Sequence, residues 1–107
     1  MARYRDGLKV ATCLFEAAAW HRTVKVICRC QHFGLFEPHG LWWRFERRGW
    51  SDDFRDGRQR FYCRLCRDAH GRKVRPVAIE TTNDTARIHL SLPDERTWKR
   101  AVNRFRG

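Results

Sequence analysis

Apolar and polar residues alternate along two stretches of this chain, and each stretch predicts a β-strand. TVKVIC at residues 23–28 and ARIHLSL at residues 86–92 place every second side chain on one face, which is the period of a half-buried strand. KVRPVAIETT at residues 73–82 also predicts a strand, although Pro76 assigns its start to a sheet edge. We expect this strand to pair with the one at residues 86–92.

Apolar residues spaced three or four positions apart predict helices between these strands. The first helix is expected at residues 12–20, an alanine-rich stretch with Thr12 as its N-cap. The second is expected to begin at Pro38, which suits a first helical turn, and to end at Gly49. Helices and strands therefore alternate through the first half of the chain.

Two further helices are expected in the second half of the chain. A short helix follows Ser51, whose hydroxyl suits an N-cap. A final helix opens near Asp94, and the spacing of Trp98, Val102 and Phe105 directs these three side chains toward the core. The combination of strands and helices predicts an α+β fold.

Two cysteine pairs carry the clearest chemistry of the chain. Cys28 and Cys30 lie in VICRCQH, and Cys63 and Cys66 lie in FYCRLC, each pair after a short β-like run. The segment HFGLFE is expected to return from the first pair as the second strand of a hairpin. Four thiolates bind Zn²⁺ tetrahedrally and leave no open coordination position. The sequence therefore predicts one structural zinc ion that links two β-hairpins.

The spacing of the first pair leaves two ligand sets open. One residue separates Cys28 from Cys30, whereas structural zinc sites usually have about two to four. His32 follows two residues later and is an alternative ligand to Cys28. We favour the set of Cys28, Cys30, Cys63 and Cys66 over the set in which His32 replaces Cys28.

The stretch from Val24 to Val77, about half of the chain, resembles a bacterial zinc ribbon. It is similar to small uncharacterised proteins of alphaproteobacterial type that combine a CxxCxH motif, an aromatic or leucine-containing helix, a Gly-Trp pair and a CxxC motif. The matching residues are Cys30, His32, Leu41, Trp42, Arg47, Gly49, Trp50, Cys63 and Cys66. This chain departs from the family pattern at the first motif, where a full CxxC needs one more residue between the two cysteines. The resemblance implies the fold and the metal, and implies little about activity.

A chain of 107 residues has the length of one domain. We expect a single zinc-ribbon-like domain over residues 1–107, with inserted short helices and a C-terminal helix. Residues 1–7 are expected to form a flexible basic arm. Five cysteines cannot all form disulfides, so a reducing cytoplasm is expected, with Cys13 as a small buried residue. No run of about 18 apolar residues is present, so no membrane span is expected.

The charge of the chain indicates which class of partner it binds. The chain has 23 Lys and Arg against 12 Asp and Glu, a net charge of +11. This excess favours an anionic partner, with nucleic acid first, because arginines bind phosphates and aromatic rings stack on bases. The competing interpretation is an ordinary solvated surface. The predicted contact residues are Trp43, Arg44, Arg47, Arg48, Trp50, Arg55, Arg58, Arg60, Lys99, Arg100 and Arg104, with Arg29, Arg64 and Arg67 at the metal turns as a second surface.

The sequence contains no recognised catalytic signature. The histidines are scattered, without an HExxH motif or a nucleophile pattern. We therefore expect a non-catalytic zinc-ribbon protein that binds DNA or RNA and has no small-molecule substrate. The alternative is an adaptor or inhibitor, including one of phage origin, that docks on a polymerase, the ribosome or a guided nuclease. Its charge would then complement an acidic cleft on that partner.

Overall fold

The computed structural model of the chain describes the backbone of residues 3–5 and 8–106 and the side chains of residues 10–105. In chain order the elements are β1 (Arg3–Arg5), β2 (Leu8–Val10), α1 (Leu14–Ala19), β3 (Thr23–Ile27), β4 (Phe33–Phe36), α2 (Pro38–Arg47), α3 (Phe54–Gly57), a 3₁₀ turn (Arg58–Arg60), α4 (Arg64–His70), β5 (Ala78–Thr82) and α5 (Glu95–Arg106). The fold is α+β, as predicted. Strands β1 and β2 pair in antiparallel fashion. The rest of the arm predicted at residues 1–7 lies outside the described residues, so its flexibility stays a prediction.

A three-stranded antiparallel sheet in the order β4-β3-β5 carries the first cysteine pair at one end. The first predicted hairpin is confirmed, because β3 runs into the turn that holds Cys28 and Cys30 and β4 runs back from it. Strand β5 pairs with the other edge of β3. Val24 and Val26 of β3 are buried against the helices and fix one face of the sheet toward the core.

Helix α1 forms within the predicted range, but its N-terminus is capped differently. The carboxylate of Glu16 accepts hydrogen bonds from the Thr12 backbone amide at 2.8 Å and from the Thr12 hydroxyl at 3.0 Å. Thr12 therefore donates to the helix instead of capping it. The carboxylate of Asp52 accepts a hydrogen bond from the Phe15 amide at 2.9 Å. A residue far away in sequence thus satisfies a free amide in the first turn of α1.

Helix α2 begins at Pro38, as predicted, and Gly49 follows its end with a φ of +67°. The short helix α3 also forms, but its N-cap is Asp53 and not the predicted Ser51. The Asp53 carboxylate accepts hydrogen bonds from two amides of the first turn, which a charged acceptor does well at a helix N-terminus. The Ser51 hydroxyl instead donates to the Asp56 carboxylate at 3.0 Å.

The second predicted hairpin does not form, and this corrects the prediction of two metal-linked hairpins. The segment RQRFYC contains the 3₁₀ turn and extended residues, and α4 begins directly after Cys63. Leu, Arg and Ala in RLCRDAH favour a helix, and Gly71 ends it in the left-handed conformation with a φ of +69°. One cysteine pair therefore lies in a hairpin turn and the other at the start of a helix.

The strand expected at residues 86–92 is reduced to a single bridge between Ile88 and Phe36 of β4. Arg87 and Ile88 both donate their amides to the Leu35 carbonyl at 2.9 Å. The predicted pairing of this segment with residues 73–82 is wrong, because β5 pairs with the central strand β3. The alternating segment then lies against the outer edge of β4.

The main core lies between the sheet and helices α1, α2 and α5. Leu41 and Phe45 of α2 are almost fully buried in it. The inward face predicted for α5 is partly correct, because Trp98 packs against the core whereas Phe105 is 61% exposed beside the ring of Phe15. No helix among the described residues has the length and apolar character that crossing a membrane requires.

Candidate metal centre and the basic surface around it

The four cysteines favoured as metal ligands converge on one point of the structure. The Sγ atoms of Cys28, Cys30, Cys63 and Cys66 all lie within 4.8 Å of one another. The Sγ atoms of Cys28 and Cys66 are 3.5 Å apart, and those of Cys30 and Cys63 are 3.7 Å apart. Both contacts connect the β3–β4 turn to the start of α4. The cluster therefore links two segments that are far apart in sequence.

These separations suit a metal ion held by four thiolates. With metal–sulfur bonds of about 2.3 Å, neighbouring sulfurs of a tetrahedral site lie about 3.8 Å apart. The observed distances of 3.5 and 3.7 Å are close to this value. All five cysteines, each of them within the described residues, are free of disulfides. A cation would reach the four sulfurs with little movement of the side chains.

The turn between β3 and β4 shows how two cysteines separated by a single residue share one site. Cys28 donates its amide to the His32 carbonyl at 2.8 Å, and Gln31 donates its amide to the Cys28 carbonyl at 2.9 Å. Gln31 completes the turn with a φ of +72°. Cys28 consequently lies buried at the end of the strand, and Cys30 lies exposed in the turn.

Helix α4 positions the second cysteine pair. Cys63 is its N-cap and Cys66 lies in its first turn, and residues three apart face the same side of a helix. The Cys63 amide donates to the Val74 carbonyl at 3.2 Å, which holds the segment after α4 against the site. Cys66 is the one buried residue among the seven of α4. This helix therefore depends on a cysteine for its attachment to the rest of the protein.

The environment of the Cys66 thiol opposes its ionisation. Hydrogen bonding to the Cys28 thiol, followed by burial, raises the pKa of the Cys66 thiol to about 12. Metal ions bind thiolates, so metal binding at this site releases protons and depends on pH. Cys13 packs against the main core, away from the cluster, and burial raises the pKa of its thiol to about 12. That environment agrees with the apolar role predicted for Cys13.

His32 lies beside the cluster and outside its group of four sulfurs. The Nδ1 atom of His32 is 3.6 Å from the Cys63 Sγ, and the residue is exposed. The geometry thus assembles the favoured ligand set and leaves His32 within hydrogen-bonding range of one ligand. Groups in such positions orient the ligands of metal sites and tune their affinity.

The cationic residues predicted to contact nucleic acid divide into an engaged and a free group. Arg58 donates to a backbone carbonyl near the start of β5 at 3.1 Å. Lys99 pairs with Glu95 at 2.9 Å. Arg104 pairs with Glu46 at 3.5 Å, which brings the end of α5 beside α2. The exposed members without an ion pair among the described side chains are Arg44, Arg47, Arg48, Arg55, Arg60 and Arg100.

The two tryptophans predicted to be exposed contacts are half-buried. Trp43 and Trp50 both pack against the main core. The guanidinium of Arg47 lies 5.4 Å from the centre of the Trp43 ring system. Those of Arg48 and Arg60 lie 5.2 and 4.6 Å from the centre of Trp50. Arginines therefore cover part of the ring surface that was predicted to stack on bases.

Two aromatic residues that border the metal centre were not among the predicted contact residues. Tyr62 is 38% exposed and Phe33 is 46% exposed. The Lys73 Nζ lies 5.0 Å from the centre of the Tyr62 ring, and the Lys25 Nζ lies 4.4 Å from that of Phe33. The sequence could have predicted that both lie near the metal centre, because one aromatic residue directly precedes a cysteine pair and the other closely follows one.

Comparison with known proteins assigns neither a family nor a function to this chain. No protein-family model, curated protein or solved structure matches the chain. The resemblance to bacterial zinc ribbons stays a prediction, and the function is inferred from the sulfur cluster and the charged surface.

Proposed function

We propose that this chain is a zinc-stabilised, non-catalytic protein that binds nucleic acid through exposed arginines. The observation that carries the proposal is positive charge that carboxylates leave unpaired. The net charge is +11, yet between described side chains carboxylates form ion pairs with only two lysine or arginine residues, Lys99 and Arg104. Exposed cations that no carboxylate neutralises are available to phosphates, and their combined field attracts a polyanion.

Zinc is the proposed ion because the donor set consists of four sulfurs. Soft thiolate ligands in a tetrahedral arrangement favour zinc or iron over magnesium and calcium. Two cysteine pairs contributed by two separate segments of the chain, here a hairpin turn and the start of a helix, are typical of structural zinc sites. Four protein ligands leave no coordination position for water, so the ion would crosslink the chain and take no part in catalysis.

The exposed side of α2 is the centre of the proposed contact surface. Arg44, Arg47 and Arg48 are exposed there. The pair between Arg104 and Glu46 places the end of α5 beside the same helix. Phosphates are the proposed ligands of these arginines, because the neighbouring tryptophan rings already hold guanidinium groups. Contacts of this kind bind the nucleic-acid backbone without reading sequence.

Metal analysis tests the zinc centre and its ligand set. Purified protein should contain about one zinc ion per chain, as expected for one closed site. Cys28→Ser should abolish stoichiometric binding, whereas His32→Ala should retain it and give the cobalt absorption spectrum of a four-sulfur site. Loss of the metal in His32→Ala together with retention in Cys28→Ser would show that His32 is the ligand. A cysteine-bearing segment that stays folded around Cys63 and Cys66 in metal-free protein, in the presence of a chelator, would contradict the zinc proposal.

Fluorescence anisotropy tests the nucleic-acid proposal. Zinc-loaded protein should bind short labelled DNA and RNA of unrelated sequence, with an affinity that falls steeply as salt rises. The double variant Arg44→Ala/Arg48→Ala should lower the slope of log affinity against log salt by about two, because each phosphate contact contributes about one. Absence of binding at moderate salt would contradict the proposal. It would favour the adaptor alternative, in which the charge complements an acidic protein surface.

A further inference from the structure

A second cationic surface surrounds the metal centre, and its aromatic ring is more exposed than those of the α2 surface: Tyr62 is 38% exposed, whereas Trp43 and Trp50 are half-buried. We call it the tyrosine face and define it by Arg29, Tyr62, Arg64, Arg67 and Lys73. All five residues are exposed. Arg29 lies between the two cysteines of the first pair, and Arg64 directly follows Cys63 in the second pair. The contact of 3.7 Å between the Sγ atoms of Cys30 and Cys63 brings together the two segments that carry these arginines.

The backbone on both sides of Tyr62 is fixed. Phe61 packs in the main core, with its ring centre 5.5 Å from that of Phe36 and 5.7 Å from that of Phe45. On the other side, the Cys63 sulfur belongs to the metal cluster. Tyr62 is thus an exposed ring on a segment anchored at both ends. A ligand that stacks on such a ring pays little conformational entropy to order it.

Cationic groups surround the Tyr62 ring. The Arg67 guanidinium lies 5.4 Å from the ring centre, and its Nη1 donates to the Tyr62 hydroxyl at 3.1 Å. The Lys73 ammonium lies 5.0 Å from the same centre. Asp68 is the one acidic residue between Cys63 and Lys73. The ring is therefore bordered by positive charge that no carboxylate neutralises among the described side chains.

We infer that the tyrosine face binds unpaired nucleotides of single-stranded nucleic acid, an inference that rests on the proposed function and assigns it a strand type. A base stacks on the Tyr62 ring in place of a cationic head group that now lies over it. Arg67 and Lys73 then contact the flanking phosphates together with Arg29 and Arg64. Only a ligand that combines a polyanion with flat rings uses both features of this face. In a duplex the bases are stacked inside the helix, so a duplex leaves the tyrosine ring without a partner.

The test compares three single strands that share a charge but differ in their bases, together with a duplex, which carries about twice the charge. Zinc-loaded protein is titrated against labelled oligo(dT), oligo(U), an abasic strand and a duplex, each of about 12 nucleotides or base pairs. Wild-type protein should bind either single strand about tenfold more tightly than the abasic strand, as expected for one stacked base. Tyr62→Leu should lose this tenfold preference, whereas Tyr62→Phe should keep it. The ratio of the oligo(dT) and oligo(U) affinities shows whether the preferred strand is DNA or RNA.

Arginine variants test whether the strand contacts the charges of the tyrosine face and not those elsewhere on the protein. Arg67→Ala should reduce the salt slope on oligo(U) by about one. Arg96→Ala, at an exposed position of α5, is the matched control and should leave both affinity and slope unchanged. Zinc content and circular dichroism verify that each variant folds.

The outcomes distinguish the inference from the proposed function. Three results would overturn the inference and leave the proposed function intact: equal affinity for the abasic strand, an unchanged base preference in Tyr62→Leu, or an equal loss of duplex and oligo(dT) affinity in Tyr62→Leu. Absence of binding to all four probes would overturn both.

Discussion

Two regions of this protein are stabilised by different forces. The main core unites α1, α2, α5 and the sheet around apolar side chains such as Leu41 and Phe45. The cysteine region, formed by residues 28–32 and 62–77, buries a small cluster of three cysteines with Val74 packed against it. In the first region apolar burial supplies the stability. In the second the apolar area is too small for that role, and the sulfurs must be held by another force.

Helix α4 shows what this difference implies for folding. A helix of seven residues is too short to be stable alone in water, and Cys66 is its only buried residue. A bound metal contributes on the order of 10 kcal/mol in comparable small domains. We therefore expect the main core to fold with or without metal, and the cysteine region to fold only with it.

The largest expected effect is that of removing a ligand. Cys63→Ser should abolish tight metal binding, whose apparent free energy is on the order of 10 kcal/mol in small zinc domains, and open the cysteine region. Hydrogen exchange should show loss of amide protection in α4 and retained protection in α1 and α2. Cys13→Ala is the control and should keep the metal. Equal loss of protection in α1 and α2 would show that the two regions fold as one unit.

The next largest effect is expected in the main core. Leu14 is 2% exposed, and Leu14→Ala should lower the free energy of unfolding by about 2–5 kcal/mol through loss of apolar burial and creation of a cavity. Urea unfolding measures this change. Leu92, which is 64% exposed, gives the matched control, with an expected change within about 0.5 kcal/mol. Folded Leu14→Ala protein that no longer binds metal would contradict the separation of the two regions.

Two glycines allow the same backbone strain to be applied to each region. Gly49 and Gly71 have φ values of +67° and +69°, and a Cβ at either position would meet no atom within 4 Å. Alanine should therefore cost about 1–2 kcal/mol from backbone strain alone. Gly49→Ala should lower the melting temperature with unchanged metal affinity. Gly71→Ala should weaken metal binding about 5- to 30-fold. An equal loss of metal affinity in Gly49→Ala and Gly71→Ala would contradict the separation of the two regions.

The smallest expected effect concerns the carboxylate that caps α1. Burial raises the pKa of the Asp52 carboxyl above its ordinary value, although the hydrogen bond from the Phe15 amide opposes the shift. The folded state therefore favours the protonated acid, and this stabilisation is lost as the pH rises through the folded-state pKa. Asp52→Asn keeps a carbonyl acceptor and does not titrate. It should gain stability relative to the wild type as the pH rises from the ordinary pKa of a carboxyl through the raised folded-state pKa of Asp52.

Asp52→Ala is the companion variant for the cap. It removes the acceptor of the Phe15 amide and should be less stable than Asp52→Asn by about 1 kcal/mol at any pH, because neither side chain titrates. Urea unfolding at several pH values measures both variants. A constant difference between wild type and Asp52→Asn would refute the pH dependence. Metal affinity should be unchanged in both variants, because Asp52 belongs to the main core.

Local sequence patterns correctly predicted those helices and strands whose formation depends on their own residues. The hairpin around Cys28 and Cys30 follows from alternating β-branched residues, and α2 follows from Pro38 and Gly49 at its two ends. The prediction of a strand before Cys63 was wrong, because RQRFYC has no partner strand and the residues after it favour a helix. A short apolar run does not reveal whether a sheet edge is available to it.

The sequence by itself determined the inventory of the candidate site: four thiols that suit a metal ion and a large excess of arginine. It also determined the first hairpin and the bounds of α1 and α2 to within a few residues. Only the tertiary structure decided that the four sulfurs converge, that Asp52 caps α1, that Trp43 is half-buried and that Tyr62 is exposed. Each of these depends on contacts between segments far apart in the chain, whose mutual positions are set by packing and not by local preference.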